Sequence, residues 1–362
     1  MPDRRALNRA SLHRQLLLER APLPALDAVR RLVALQAQAA NAPYVGLWSR
    51  LRDFDRAGLT DLLHDRSVVR GSLLRGTQHL TAAEDYRWLR PLLQPALDRA
   101  RQAAFGRRTA GIDLSELAAE GRRLLDGRTL TRPQLRELLA RRWPDRDPEA
   151  LGWSVQALLP LVHPPPNGTW GRGGATPFAL ADQWLGGPLA AEPSVEDLVL
   201  RYLAAFGPAG VMDLQAWSGL TRLREVLDRM RPRLRTIPGE DGGELFDLPD
   251  ADQPDPGTPA PPRFLPEFDN LIVAYADRTR LMGDEVRRRV CVGSMVYPTV
   301  LVDGVVAGVW RIERADGGAN LVVEEFAPVC GEARAALAEE GARLLGWAAG
   351  GQAHDVRFLP AA

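Results

Sequence analysis

Gln36-Ala37-Gln38 is the polar cluster of this 362-residue chain that sits most out of place: it interrupts the apolar run LVAL (32–35) and precedes Asn41 and Pro43. Carboxamides offer hydrogen bonds. The carbonyl accepts, the NH2 donates, and neither is a strong base or a nucleophile. In an ideal helix, positions i and i+2 point about 200° apart, so two such amides could not serve one site. Where a helix unwinds ahead of a proline, the curving backbone can aim both into a single cavity. The competing reading is that Gln36 and Gln38 cap helix carbonyls or face solvent. Arg75 and His79, in the segment RGTQHL, form a second polar group, either a satisfied structural pair or part of a site.

Other chemistries find little support. Gly293-Ser294 lacks the second glycine of a nucleophile elbow, and without lysine no phosphate loop can end in Gly-Lys-Ser/Thr. Gly171-Arg172-Gly173-Gly174 reads as turn chemistry, and Glu324-Glu325 as alternating faces of a solvated strand. The five histidines are scattered, and Cys291 and Cys330 belong to no Cys-x-x-Cys pair, so neither a metal, a disulfide framework nor a cofactor is expected. Apolar residues make up 45% of the chain, enough for a large core. The 46 basic residues, all arginine, balance 46 acidic ones, which excludes a global basic field and makes any nucleic-acid surface local. The charged N-terminus has no signal-peptide core and no apolar run reaches the roughly 18 residues of a membrane span. A cytoplasmic monomer with no membrane contact is the expectation.

The elements that must position these groups follow a rhythm. Helices are expected over Leu7–Glu19, with Asn8 as cap, and over Leu26–Gln36, ending near Ala39–Asn41 because Pro43 blocks continuation. A short helix over Leu59–His64 and two strands within Ser67–Thr81 follow. The order recurs: helices at Thr131–Trp143 and DPEALGWSVQALLPLV (147–162), then a strand pair within 167–182. It recurs again as three helices between Ser194 and Leu234, then a hairpin over 235–250. Helices followed by a hairpin wing are the winged-helix plan. After the Pro-rich stretch 250–262 the chain turns largely to strands: NLIVAYA (270–276), RRVCVGSMV (288–296), a hairpin over 299–314 with Asp303-Gly304 as a type I′ turn, and ANLVVEEFAP (319–328). A helix over 331–349 closes it. The fold class is α+β, divided as 1–100, 101–187, 188–262 and 263–362.

Four segments, LVALQAQAANAPYVGLWSRL (32–51), LLRGTQHLTAAEDYRWLRPL (73–92), LPEFDNLIVAYADRTR (265–280) and PTVLVDGVVAGVWRIER (298–314), resemble the AlkZ/YcaQ superfamily of winged-helix DNA glycosylases. The resemblance covers nearly the whole chain in order. It implies three tandem winged helices and a C-terminal β-rich, barrel-like part. It also implies excision of alkylated purines, N7-alkylguanines above all, from double-stranded DNA. Gln36-Ala37-Gln38 matches the Gln-x-Gln motif of the AlkZ-type branch, whose members include self-resistance enzymes acting on bulky or interstrand-crosslinked adducts of genotoxic natural products.

Under that resemblance the amides acquire a role. An N7-alkylguanine already carries positive charge and departs as a neutral base, so no general acid is needed; an oxocarbenium-like sugar remains to be captured by water. A glutamine carbonyl can orient that water. Gln36 and Gln38 are therefore the implied catalytic residues. Arg75, Arg278 and Arg280 are implied DNA contacts, and Asp303, Gly304 and Val305 the tip of a DNA-engaging hairpin. The alternatives are a non-enzymatic winged-helix transcriptional regulator and a protein-interaction scaffold.

Overall fold

A computed structural model describes residues 3–239, 242–315, 318–350 and 353–360. The N-terminal helix, Arg4–Arg14, starts earlier than expected because Asp3 caps it, accepting from the Ala6 N–H at 2.7 Å. Asn8 is therefore mid-helix and buried, and its amide donates to the carbonyls of Arg280 and Gly304.

The second helix, Ala25–Leu32, stops at Val33, which takes a left-handed φ of 69°, well before Pro43. Leu35–Gln36 then forms a short strand against Gln78–Ala82, with Gln36 opposite His79. Pro43 sits in the first turn of the next helix, Ala42–Trp48, where its missing N–H costs nothing. The continuous run Leu32 to Leu35 is fully buried, and such a run fits a strand as well as a helix.

Asp55 caps the helix Arg56–His64, and the strands Val68–Ser72 and Gln78–Ala82 pair antiparallel as expected. Downstream, Asp113, Thr131 with Gln134, and Asp147 start the helices Leu114–Leu125, Arg132–Arg142 and Pro148–Leu158. The strand pair that follows differs from expectation. Pro177–Leu180 pairs with Leu161–Val162, and the glycine-rich stretch between them is a loop. Through the pairing of Gly71 with Val162, both strand pairs join one six-stranded sheet that also takes in Leu35–Gln36 and Leu130–Thr131. The helices Val195–Phe206, Val211–Ser218 and Leu223–Met230 precede the hairpin Arg235–Pro238 with Glu244–Asp247, as expected.

The C-terminal part is an open five-stranded sheet rather than a barrel. Its order is Ala353–Leu359, Gly318–Glu325, Val305–Ala315, Thr299–Val302, Arg263–Leu265, with the first pair parallel. Asn270–Val273 is a helical turn capped by Asp269, not a strand. Residues 288–290 end the helix Asp284–Val290, so only the short hairpin Cys291–Val292 with Met295–Val296 is extended. Helix Gly331–Ala349 packs on the sheet through Leu337, Leu344 and Leu345.

The two ends of the chain share their packing. Leu16, Leu35, Tyr44 and Leu80 lie in one core with Phe264, Val300 and Trp310. Leu12 joins Tyr202, Phe206, Trp217 and Tyr275 in another. Two buried bidentate ion pairs fasten these layers: Arg50 to Asp269 at 2.8 Å for both bonds, and Arg14 to Asp247 at 2.6 and 2.8 Å.

Candidate active site

The extended backbone at Leu35–Gln36 changes the geometry of the two glutamines. The Ala37 N–H donates to the Gln78 carbonyl at 2.8 Å, carrying the ladder one bond past the strand. In extended chain, residues i and i+2 face the same way. Gln36 and Gln38 accordingly meet, and the Gln36 NH2 donates to the Gln38 carbonyl oxygen.

Arg75 anchors the pair. Its guanidinium donates to the Gln36 carbonyl oxygen at 2.8 Å and to the Trp217 carbonyl at 2.6 Å. A guanidinium has no acceptor, so this bond fixes the amide with its oxygen toward Arg75 and its NH2 toward Gln38. Gln36 is buried and Gln38 exposed, which leaves the second lone pair of the Gln38 carbonyl and its NH2 outermost. Arg75 itself has a left-handed φ of 55° inside the tight turn Leu74–Gly76. Burial and, second, the neighbouring Arg278 bring its guanidinium down to about 10, still cationic at neutral pH.

The segment is pinned from both sides. Asn270 donates to the Ala34 carbonyl at 2.6 Å, and the buried Arg70 donates to the Ala37 carbonyl at 2.8 Å. Arg70 also reaches the Asn167 side chain at 2.9 Å, which ties the glycine-rich loop to the site. Gly168, at φ +83°, must be glycine, because a Cβ there would lie 1.9 Å from the Arg70 guanidinium. A second tether runs from the Gly171 N–H to the Asn41 side-chain oxygen at 2.7 Å.

His79 is no acid–base candidate. It is buried, and burial first and Arg75 second push its imidazole down to about 3. It is neutral at physiological pH. Among the described residues no group of three or more His, Cys, Asp or Glu side chains is placed to hold a metal ion. The arrangement can orient small polar molecules and stabilise charge; it cannot shuttle protons near neutrality.

The structure thus brings Gln36, Gln38 and Arg75 together; Arg278 is near enough to Arg75 to lower its pKa, but its guanidinium donates to the Tyr275 carbonyl and to the Cys291 sulfur. The other expected contacts lie elsewhere. Arg280 is buried, donates to the Pro208 carbonyl at 2.9 Å and stacks over Tyr275, so it supports the fold instead of facing DNA. The Asp303-Gly304 turn, with φ of 44° and 79°, has the expected type I′ signs but does not project. Asp303 is paired with Arg5 and Arg9, and Gly304 lies so close to the N-terminal helix that a Cβ would be 2.5 Å from Asn8. Val305 is 48% exposed, and the Asp303 side chain, though ion-paired, is 46% exposed.

The hairpin that does project is Cys291–Val296, with Val292 and Met295 exposed and its Val296 carbonyl accepting from the Phe268 N–H. Its sequence signal is Gly293-Ser294 between two apolar pairs. Arg172, exposed and with no side-chain partner among the described residues, lies in a segment that reads from sequence as plain turn chemistry.

With this geometry in view, comparison with known proteins is specific. The family model for AlkZ-like DNA glycosylases matches residues 29–347. An interstrand DNA cross-link repair glycosylase of Streptomyces sahachiroi is 27% identical over 330 residues, covering 83% of this chain and 85% of the relative. The solved structure of the Streptomyces sahachiroi DNA glycosylase AlkZ superposes with a TM-score of 0.79 over 98% of this chain and 99% of its own, at 24% identity, a likeness in fold. The polypeptide belongs to the AlkZ-like family of DNA glycosylases.

Proposed function

We propose that this glycosylase hydrolyses the N-glycosidic bond of cationic N7-alkylguanine adducts, bulky and crosslinked ones included, with Gln36 and Gln38 as its catalytic pair. The observation that carries this reading is the amide pair locked by Arg75. Breaking the bond between C1′ and N9 of the cationic nucleotide releases a neutral base and leaves an oxocarbenium-like sugar. Water bound at the outer lone pair of the Gln38 carbonyl adds to C1′, and its proton passes to solvent. Gln36 holds Gln38 in place. Neither Arg75 nor His79, the titratable groups placed at the pair, changes charge near neutrality, which suits a leaving base that needs no protonation. The chain has no lysine, so no ε-amine is available for Schiff-base strand cleavage, which supports a monofunctional reading.

DNA contact is assigned to three elements. The helix-then-hairpin units act as tandem winged helices over 1–100, 101–187 and 188–262, and 263–362 completes the binding face. The exposed Cys291–Val296 hairpin supplies an apolar wedge. The side chains of Arg172, Arg222, Arg229, Arg235 and Arg288, exposed and unpartnered among the described residues, are among the cations available to phosphates. Bulky and crosslinked adducts are included because the Streptomyces sahachiroi relative is named for cross-link repair.

The test is incubation with duplex DNA bearing one N7-methylguanine, then hot alkali to break abasic sites. Strand breaks are expected from the wild type. Gln36→Ala and Gln38→Ala should each lower the single-turnover rate by about 10²-fold or more while DNA affinity holds. Specific binding with no breaks would instead support a regulator, and equal losses of rate and affinity would make the glutamines binding groups.

A further inference from the structure

The glycine-rich loop between the strands Leu161–Val162 and Pro177–Leu180 is bonded at two points to the segment that carries the glutamines. The buried Arg70 guanidinium makes the first. One of its nitrogens donates to the Ala37 carbonyl at 2.8 Å, the other to the Asn167 carbonyl and side-chain oxygen at 3.1 and 2.9 Å. The second is the Gly171 N–H, which donates to the Asn41 side chain.

The loop is also closed on itself. The Gly168 N–H donates to the Arg172 carbonyl and the Arg172 N–H to the Thr169 carbonyl, each at 2.9 Å. Thr169 is buried, and its N–H and hydroxyl both reach the Pro166 carbonyl, at 3.2 and 2.8 Å. Pro164, Pro165 and Pro166 restrict φ where the chain enters. Followed bond by bond from Ala37 through Arg70 and Asn167, ordinary geometry puts the Arg172 carbonyl within about 13 Å of the Ala37 carbonyl.

Arg172 is the charge that this loop offers. Residues 164–177 contain no acid and no other arginine. The Arg172 side chain is exposed and has no partner among the described residues. The guanidinia bound at the glutamine segment or beside Arg75 are committed instead: Arg70 to Ala37, Gln78 and Asn167, Arg75 to Gln36 and Trp217, Arg278 to Tyr275 and Cys291. An uncommitted guanidinium on a braced loop suits a phosphate, which it meets with two parallel N–H bonds. With C1′ of the lesion at the glutamines, the DNA charges closest to it are the two phosphates flanking that nucleotide.

We propose that Arg172 is a positioning residue for glycosidic-bond hydrolysis: it clamps a phosphate flanking the lesion nucleotide and so holds C1′ against the amide pair. The inference rests on the glycosylase reading above and adds to it one named contact, on the damaged strand, that acts on rate.

The test uses duplexes bearing N7-methylguanine in which one phosphate at a time, on either strand, is replaced by an uncharged methylphosphonate. Single-turnover excision is read at saturating protein, so that affinity does not enter. On the unaltered duplex Arg172→Ala should be about tenfold slower than the wild type. Arg172→Lys should recover part of that loss, since the charge returns without the two-bond fork. For the wild type, neutralising a phosphate beside the lesion should cost a similar factor. For Arg172→Ala the same replacement should cost less than about twofold, because the contact is already gone. The clamp is overturned if Arg172→Ala matches the wild-type rate, if Arg172→Lys is as slow as Arg172→Ala, or if the losses from variant and methylphosphonate multiply at every position. It is equally overturned if the losses fail to multiply only at a phosphate away from the lesion nucleotide. Absence of excision by the wild type from any duplex would overturn the glycosylase reading and the clamp with it, whereas excision with multiplying losses removes the clamp alone.

Discussion

Removing the Arg75 guanidinium would release the Gln36 carbonyl and leave the amide pair with no anchor on its buried side. Arg75→Met keeps much of the stem packing while deleting both bonds. Misplacement of a reacting group by about 1 Å can cost about 10²-fold, so kcat should fall by about 10- to 100-fold with KM little changed; a loss confined to KM would place Arg75 on the DNA instead. His79 makes a separate, titratable contribution. Its imidazole is held at about 3 in the fold, against about 6.5 in an unfolded chain. Between those values the unfolded state binds the extra proton, so stability present above about pH 6.5 is lost as pH falls toward 3. The buried His163, likewise lowered by burial first, adds in the same direction. The urea midpoint should therefore be lower at pH 5 than at pH 7, and equal midpoints would contradict the buried-neutral assignment.

At the scale of elements, the projecting hairpin Cys291–Val296 carries exposed apolar side chains that the fold does not use. The double substitution Val292→Ser with Met295→Ser should weaken duplex binding by roughly tenfold at unchanged thermal stability, since neither side chain is buried. A fall in melting temperature without loss of binding would make the hairpin structural. Much of the element pattern was legible in the sequence. The helices Val195–Phe206 to Leu223–Met230 and their hairpin follow from local signals, a Ser194 cap, a left-handed Gly219 and short loops. The site was legible as residues but not as geometry. The run Leu32 to Leu35 suits helix and strand alike, and only pairing with Gln78–Ala82 decides for extension. The same limit applies to Asp303-Gly304. Its turn type is local, but its docking on the N-terminal helix depends on Asn8 and Arg9, almost 300 residues away in sequence. Arg280 reads as a surface cation for the same reason: nothing near it in sequence announces the Pro208 carbonyl as its partner.

Over the whole molecule, the ends of the chain and its middle are one packed unit around the amide pair. Arg50 with Asp269 and Arg14 with Asp247 join the N-terminal region to the helical turn Asn270–Val273 and to the strand Glu244–Asp247, and Arg70 joins the Gln36–Gln38 segment to the loop from Leu161–Val162. With net charge zero and many surface arginines already ion-paired, long-range attraction to DNA is weak, and recognition falls to local cations and to the chemistry of the lesion. The central claim is that a pair of neutral amides suffices because the departing base is already cationic. Single-turnover excision of N7-methylguanine, compared with 7-methyl-7-deazaguanine in the same duplex, isolates that charge, since the second base keeps the methyl group and lacks the positive ring. The two duplexes should bind alike, and only the cationic base should be excised. Comparable excision of the uncharged isostere would contradict it.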